Sequence, residues 1–343
     1  MNRIRVFLKH PDKKSLLKMI KEIITLMVKK REIPFYYFKY LYRKKVTNYL
    51  DYISFREQVL LVEHRSLHNP DYVALINNKL YFALFCKRTS IKTPKLISYN
   101  LGTCFFFNDN VVQISNKEQL SEFFENLFNI HKTDELFFRP PSDFGGKGCF
   151  KIKKLELQND LDNIYETLIN GNFVHTEVIK QHDDINKIHS KSVNTIRFIS
   201  LITSKGTIEI ISSVFRFGVG DSVVDNATSG GFFVGIDLEK GVLKSVGHYL
   251  PEHGGGEITE HPDSGFKLEG FKVPYFKEAC DIVKEAVKII PDRFIGWDVA
   301  ITPNGPIIIE SNAEPHVPVS DISYGGLLKN PHIKNLVEEL KKQ

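Results

Sequence analysis

Three polar residues, Asp298, Glu310 and Asn312, interrupt the otherwise apolar stretch GWDVAITPNGPIIIESNAEP near the C-terminus. Two apolar runs flank a Pro-Asn-Gly turn, the pattern of a β-hairpin with a buried face. Charges are seldom buried in such a place unless they are paired or hold a cation. Side chains alternate along a strand, so Glu310 and Asn312 share a face. A turn centred on Asn304 sets Asp298 opposite Glu310 on that face, whereas a tight Asn304-Gly305 turn shifts the register by one and breaks the pairing. With the wider turn, two facing carboxylates repel unless one is protonated or a cation lies between them. Three oxygen donors suit Mg²⁺ rather than zinc.

Three further segments carry residue types that do chemistry. In FFRPPSDFGGKGCFKI, Arg139 ends a strand, and Gly145, Gly146 and Gly148 surround Lys147 in a loop before the next strand. Such a loop lets backbone N–H groups close over phosphate oxygens, although a glycine-bearing hairpin turn is the plainer reading of the segment alone. It is no Walker A loop, since no Gly-Lys-Ser/Thr opens a helix, and the kinase signatures that should accompany Asp143-Phe144-Gly145 are missing. In FVHTEVIKQHDD, an apolar strand emerges at Glu177-Val178-Ile179 into a polar linker that carries Asp184. Backbone groups there can read a base edge and a carboxylate can accept from hydroxyls; a strand end followed by a solvated loop explains the segment equally. In SVNTIRFISLIT, Arg197 alternates with apolar residues and needs an anion, either a protein carboxylate or a phosphoryl group. Arg216, Asp225 and Asn226 follow in a glycine-rich region suited to loops around a substrate. His189 and His261 are acid–base candidates only by type, since a lone histidine is more often structural.

The elements that must position these residues follow from patterning. Residues 14–30 place Leu16, Ile20, Ile23 and Met27 at helical spacing, which predicts an amphipathic helix packed on the body. The aromatic, basic run FYYFKYLYRKK from Phe35 predicts a second. IKTPKLISYN, TCFFFND, ELFFRP, GCFKIKKL, FVHTEVIK, TIRFISLIT, TIEIISSVFRF and GGFFVGIDL predict strands. KEQLSEFFENLFNI, YFKEACDIVKEAVKII and HIKNLVEELKK predict helices. The chain has 343 residues with 46 Lys/Arg and 41 Asp/Glu, but the charge is uneven. Residues 1–50 hold 14 basic and 3 acidic residues, so the remainder is net acidic. That argues against a general nucleic-acid binder and makes the N-terminal segment a candidate for contact with an anionic membrane face or a lipid-linked substrate. Cys86, Cys104, Cys149 and Cys280 have no paired spacing, so a reducing cytoplasm is expected. No apolar run approaches the length of a membrane span, and the N-terminus lacks the pattern of a signal peptide.

Together these pieces resemble the ATP-grasp superfamily, and more narrowly its sugar-transfer-associated group. The resemblance rests on RPPSDFGGKG (139–148), TEVIKQHDDI (176–185), SVNTIR (192–197), VDNATSGG (224–231) and GWDVAITPNGPIIIESNAEP (296–315). It implies an α+β fold in which two lobes clasp ATP. Residues 1–55 would form a basic, aromatic helical segment and 56–130 a small mixed domain. Residues 131–190 would be the lobe with the glycine loop and adenine linker, and 191–343 the lobe with the metal and acceptor site. It further implies that Asp298, Glu310 and Asn312 hold two Mg²⁺ ions, that Glu177, Val178 and Ile179 line adenine, and that Asp184 meets the ribose. Arg139 stands where the family has a lysine, and Lys79 stands for a second, with Lys87 its rival. The implied activity is ligation of a carboxylate to an amine through an acyl phosphate. Arg197 and Arg216 would face the transferring group, and Arg216 and Asn226 the acceptor carboxylate, with a uronic acid as the expected substrate. A phosphotransferase and a non-catalytic nucleotide-binding module are the alternatives. On the metal assignment, Asp298→Asn or Glu310→Gln should lower metal-dependent ATP turnover by orders of magnitude and leave folding nearly intact.

Overall fold

A computed structural model describes residues 3–143 and 145–343. The chain opens with helices α1 (Arg3–Lys9), α2 (Leu16–Lys30), α3 (Phe55–Glu63), α4 (Pro70–Asn77) and α5 (Lys79–Cys86). Local chemistry sets their starts. Ser54 and Glu57 form a reciprocal capping box on α3, and Asn69 with Pro70 opens α4. Asn78 Oδ1 accepts from the N–H groups of Leu80 and Tyr81, which fixes Lys79 as the first residue of α5.

The first sheet contains β1 (Leu96–Leu101), β2 (Cys104–Phe107), β3 (Asn110–Gln113), β4 (Glu135–Arg139), β5 (Phe150–Lys153) and β6 (Asn172–Glu177). Its order is β3-β2-β1-β6-β4-β5, and α6 (Lys117–His131) and α7 (Leu157–Asn170) supply the helical layer. Phe105, Phe124, Phe128 and Phe138 are fully buried in the core between them. Because β1 pairs with β6, this sheet crosses residue 130. The boundary expected there is therefore corrected: strands from 96–113 and from 135–177 make one sheet.

After a short helix, α8 (Asp183–Asn186), the second sheet contains β7 (Thr195–Ile202), β8 (Ile208–Phe217), β9 (Phe232–Ile236), β10 (Leu243–Tyr249), β11 (Glu257–Ile258), β12 (Phe294–Thr302) and β13 (Gly305–Asn312). Its order is β11-β10-β9-β8-β7-β12-β13, antiparallel throughout. Helix α9 (Phe276–Ile289) buries Ala279, Val283 and Ala286 in a core with Trp297 and Phe198. Helices α10 (Val317–Tyr324) and α11 (Pro331–Leu340) complete the chain.

Two expectations about the N-terminal segment are corrected. Helix α2 forms, but it buries Met19, Glu22 and Leu26, while Leu16, Ile20 and Met27 of the expected packing stripe are exposed. The run from Phe35 forms only a 3₁₀ turn over Phe35–Lys39, stabilised as an aromatic cluster around the buried Tyr37 and Tyr42.

The hairpin of β12 and β13 answers the register question in an unexpected way. Thr302 pairs with Gly305, so the turn is the tight pair Pro303-Asn304. Gly305, at φ +106°, accepts the left-handed backbone that follows. This register continues to Val299 opposite Ile308. Then a β-bulge at Ile309 shifts it, and Asp298 lies opposite Glu310. The pairing survives because one extra residue is inserted in β13, not because the turn is wide.

Candidate active site

Asp298 sits between its neighbours on β13 and β7, opposite Glu310 on one side and Arg197 on the other. Both of its oxygens are taken. Arg197 donates Nε to Oδ1 and Nη2 to Oδ2 at 3.0 Å, and Arg216 from β8 brings Nη2 to 2.9 Å from Oδ2. Burial alone would raise this carboxyl, but the two guanidinium groups overcome it and hold the group well below the usual carboxylate range. Gly296 leaves room for this packing, since a Cβ there would stand 2.8 Å from Pro315 Cβ and 3.4 Å from Arg197 Nη1.

Arg216 is itself buried. Desolvation opposes its charge, but Asp225 and Asp298 more than compensate and raise its proton affinity above the ordinary value. Asp225 accepts from the Thr195 backbone N–H at 2.7 Å and hydroxyl at 2.5 Å, and lies 3.4 Å from Arg216 Nε. Arg216 Nη1 reaches Asn226 Oδ1 at 3.4 Å. Thr195, which also accepts from Arg216, was missed by sequence reasoning; its only signal was its place two residues before Arg197.

The first sheet supplies the opposing wall. Arg139, at the end of β4, is buried; Nη1 donates to the Ile309 carbonyl at 3.3 Å, and Nε has no partner among the described residues. Burial lowers its proton affinity, with Glu310 acting in the other sense. The bulge makes this contact possible, because it leaves the carbonyl of Ile309 outside the regular ladder. Lys79 Nζ donates to the Asp143 carbonyl at 2.6 Å and lies 3.4 Å from Glu310 Oε2.

Between these walls lies a cavity of ≈ 280 Å³. Lys79, Arg139, Gly145, Gly146, Val178 and Ile179 line it on one side; Arg216, Asn226, Asp298 and Glu310 line it on the other. Ile309, Lys151 and Lys191 also reach it and were not foreseen. Lys87, the C-cap of α5, is exposed and lies outside the lining. The glycine loop closes against the second lobe: a Cβ on Gly146, at φ +73°, would overlap Val224 Cγ1, and Ser229 Oγ approaches the Gly145 carbonyl at 3.5 Å. Phe144 in that loop lies outside the described residues.

Several expected residues stand elsewhere. Asp184 is partly exposed, bonded to Lys187 at 2.6 Å and outside the lining; Gln181 and Asn186 line the cavity from the same segment. Glu177 turns its carboxylate to the Lys95 N–H at 2.9 Å, away from the lining. Arg197 is held on Asp298 and does not line the cavity, so of its two expected partners the structure shows the carboxylate. Lys147 and Gly148 lie on the exposed side of the loop. His189 and His261 sit behind Gly218 with rings stacked at 5.0 Å and 20°, both with proton affinity lowered by burial. Together with Asp263 they bring donor atoms within 4.8 Å, but nearly parallel rings do not aim their lone pairs at one point.

The donor set for a cation is all oxygen. Glu310 is half-buried and faces the cavity; Asn312 is buried and outside the lining, and of its amide only Oδ1 can ligate a cation. Asp298 becomes available only if Arg197 or Arg216 moves. Glu310 therefore fits Mg²⁺ as it stands, with Asn312 Oδ1 and Asp298 conditional on such movement.

Comparison with known proteins places this geometry. Residues 63–336 match the family described as sugar-transfer associated ATP-grasp, and the chain belongs to that family. Its two antiparallel sheets with flanking helices are an α+β ATP-grasp fold. Among curated proteins no similar sequence was found. Similar solved structures include the ATP-grasp ligase PsnB complexed with a phosphomimetic variant of its minimal precursor, Mg and ADP (12% identity, TM-score 0.44, 83% of this chain and 67% of that one). D-alanyl-alanine synthetase A from Vibrio cholerae is another (11%, 0.45, 80% and 67%), as is N5-carboxyaminoimidazole synthase from Aspergillus clavatus (10%, 0.44, 78% and 53%). The chain spans from about half to two thirds of the length of these proteins.

Proposed function

We propose that this chain is an ATP-dependent carboxylate–amine ligase. The observation that carries the reading is the convergence of Lys79 and Arg139 from one lobe with Arg216, Asp298 and Glu310 from the other on one cavity, under a glycine loop. Family membership supports ATP as the nucleotide. Val178 and Ile179 offer an apolar seat for its base, while Lys79 and Arg139 supply positive charge for its phosphates. Mg²⁺, when bound by Glu310 and Asn312, would neutralise phosphate charge; two ions are proposed.

A substrate carboxylate oxygen attacks the γ-phosphorus, the bond to the β-bridging oxygen breaks, and ADP leaves. The resulting acyl phosphate is attacked at carbon by an amine; the C–O bond to phosphate breaks, an amide forms, and the amine proton leaves with phosphate or solvent. Arg216 and Asn226 orient the acceptor carboxylate, and the closed loop excludes water from the acyl phosphate. The family's association with sugar transfer supports a uronic acid of a polysaccharide precursor as the carboxylate and an amino acid or small amine as its partner.

The test is ADP release screened over uronic acids paired with amines, with mass spectrometry of the product. An amide with one ADP per bond is expected. A stable phosphorylated acceptor would reassign the chain as a phosphotransferase, and nucleotide binding without turnover for any pair would make it a binding module.

A further inference from the structure

Helix α2 is apolar on the side that faces away from the protein. Leu16, Leu17, Ile20, Ile24, Met27 and Val28 are all exposed, Leu17 to 83% and Val28 to 69%. At 100° per residue they fill an unbroken arc of about 120°. The inner face is the more polar one. Glu22 is buried there, held by Lys14 Nζ at 2.6 Å and by the Tyr37 hydroxyl at 2.6 Å, and Lys30 pairs with Glu57 at 2.8 Å. Glu32 further ties the end of the helix to the N–H groups of Phe55 and Arg56 at 3.0 and 2.8 Å. These bonds prevent the helix from rolling its apolar arc inward.

Leu8, Ile33, Phe35 and Phe38 are exposed too, so eleven of the twenty large exposed hydrophobic side chains of the described residues lie within the first 50 positions. An exposed apolar arc of this kind marks an interaction site. Lys18, Lys21 and Lys29 are exposed beside the arc, in a segment of net charge +11. That charge decides the occupant. A second copy docked face to face would bring Lys18, Lys21 and Lys29 against their own equivalents. An anionic lipid surface accepts both halves of the pattern, with apolar side chains in the acyl boundary and ammonium groups among the phosphates.

We propose that α2 lies in the interface of an anionic bilayer and holds the protein there as a peripheral protein. The test is flotation of the full chain with vesicles of phosphatidylcholine alone or with 30 mol% phosphatidylglycerol. Recovery with the anionic vesicles is expected, falling as salt rises, and little with the neutral ones. Leu17→Asp with Ile24→Asp should cut the anionic recovery at least tenfold. Lys18→Glu with Lys21→Glu should remove the preference for anionic lipid. These side chains are exposed, and an unchanged melting temperature confirms that the fold persists. No recovery with anionic vesicles, or recovery indifferent to both pairs of substitutions, overturns the proposal. A dimer in sedimentation velocity that the Asp pair dissociates assigns the face to a second copy, and overturns it equally. None of these outcomes depends on catalytic activity.

Discussion

Asp298→Asn should unfold this protein more readily, not merely silence it. The carboxylate is 2% exposed and is shared by Arg197 and Arg216, with contacts of 3.0 and 2.9 Å. Removing its charge leaves the buried Arg216 and the half-buried Arg197 guanidinium groups side by side, with Asp225, 3.4 Å from Arg216 Nε, and Glu310 as the remaining counter-charges. Breaking a buried ion pair from one side costs about 3–5 kcal/mol, a large share of the roughly 5–15 kcal/mol that holds a folded domain. The expectation from sequence that this substitution spares the fold is thereby withdrawn. Glu310→Gln differs: Glu310 retains 24% side-chain exposure and lies 3.4 Å from Lys79, so its loss should cost about 1 kcal/mol or less. Urea unfolding followed by the fluorescence of Trp297, the single tryptophan and the residue next to Asp298, reports both. Sulfate or phosphate should restore part of the loss in Asp298→Asn by supplying the missing anion. A change below about 1 kcal/mol in Asp298→Asn, similar to that in Glu310→Gln, would refute the idea that this carboxylate balances two arginines.

Other consequences are as direct. Lys79→Met should lower ATP turnover about 100-fold, as loss of one positioned cation at a reacting phosphate does, while Lys87→Met should match wild type; steady-state ADP release distinguishes them. Gly146→Ala should raise the KM for ATP and lower the urea midpoint, because φ +73° strains any Cβ there and that Cβ would overlap Val224 Cγ1. His175, buried between Ser98 Oγ at 2.7 Å and Asn100 Oδ1 at 3.0 Å, is pushed down to about 3 by burial. A base whose folded pKa is depressed contributes stability above its unfolded pKa, about 6.5, and loses it as pH falls toward the folded value. Wild type should therefore lose about 2 kcal/mol between pH 7.5 and pH 5 through this residue, and His175→Gln should flatten that part of the profile in denaturant titrations.

The strands were legible because alternation survives without context, and the Asp298–Glu310 pairing was legible as a question about register. Its answer was not, because nothing local announces the bulge at Ile309, whose carbonyl meets Arg139, 170 residues away. Helix α2 was legible as a helix but not in its orientation. Apolar side chains cover so much of its circumference that periodicity permits either stripe, and a buried Lys14–Glu22 pair chose between them. The boundary at residue 130 failed for a related reason: β1 pairs with β6, more than 70 residues on, and nothing local announces it. Asp184 pairs with a lysine three residues on, a local contact that the spacing alone could have announced.

The bulge has a last consequence. Its carbonyl holds Arg139 and its neighbour Glu310 holds Lys79, so two cations of the first lobe are already bonded to the second. The protein carries its own tethered competitor for the anion it binds. An incoming ligand must exchange partners rather than fill space, and it succeeds only if it replaces these contacts together. A single phosphate replaces one; a polyphosphate replaces several. Binding of phosphate, pyrophosphate and tripolyphosphate, compared by calorimetry, should rise in a step and not by equal increments, and equal increments would show that the contacts yield one at a time. Selectivity for a triphosphate tail then begins as a matter of counting, before any contact with the base.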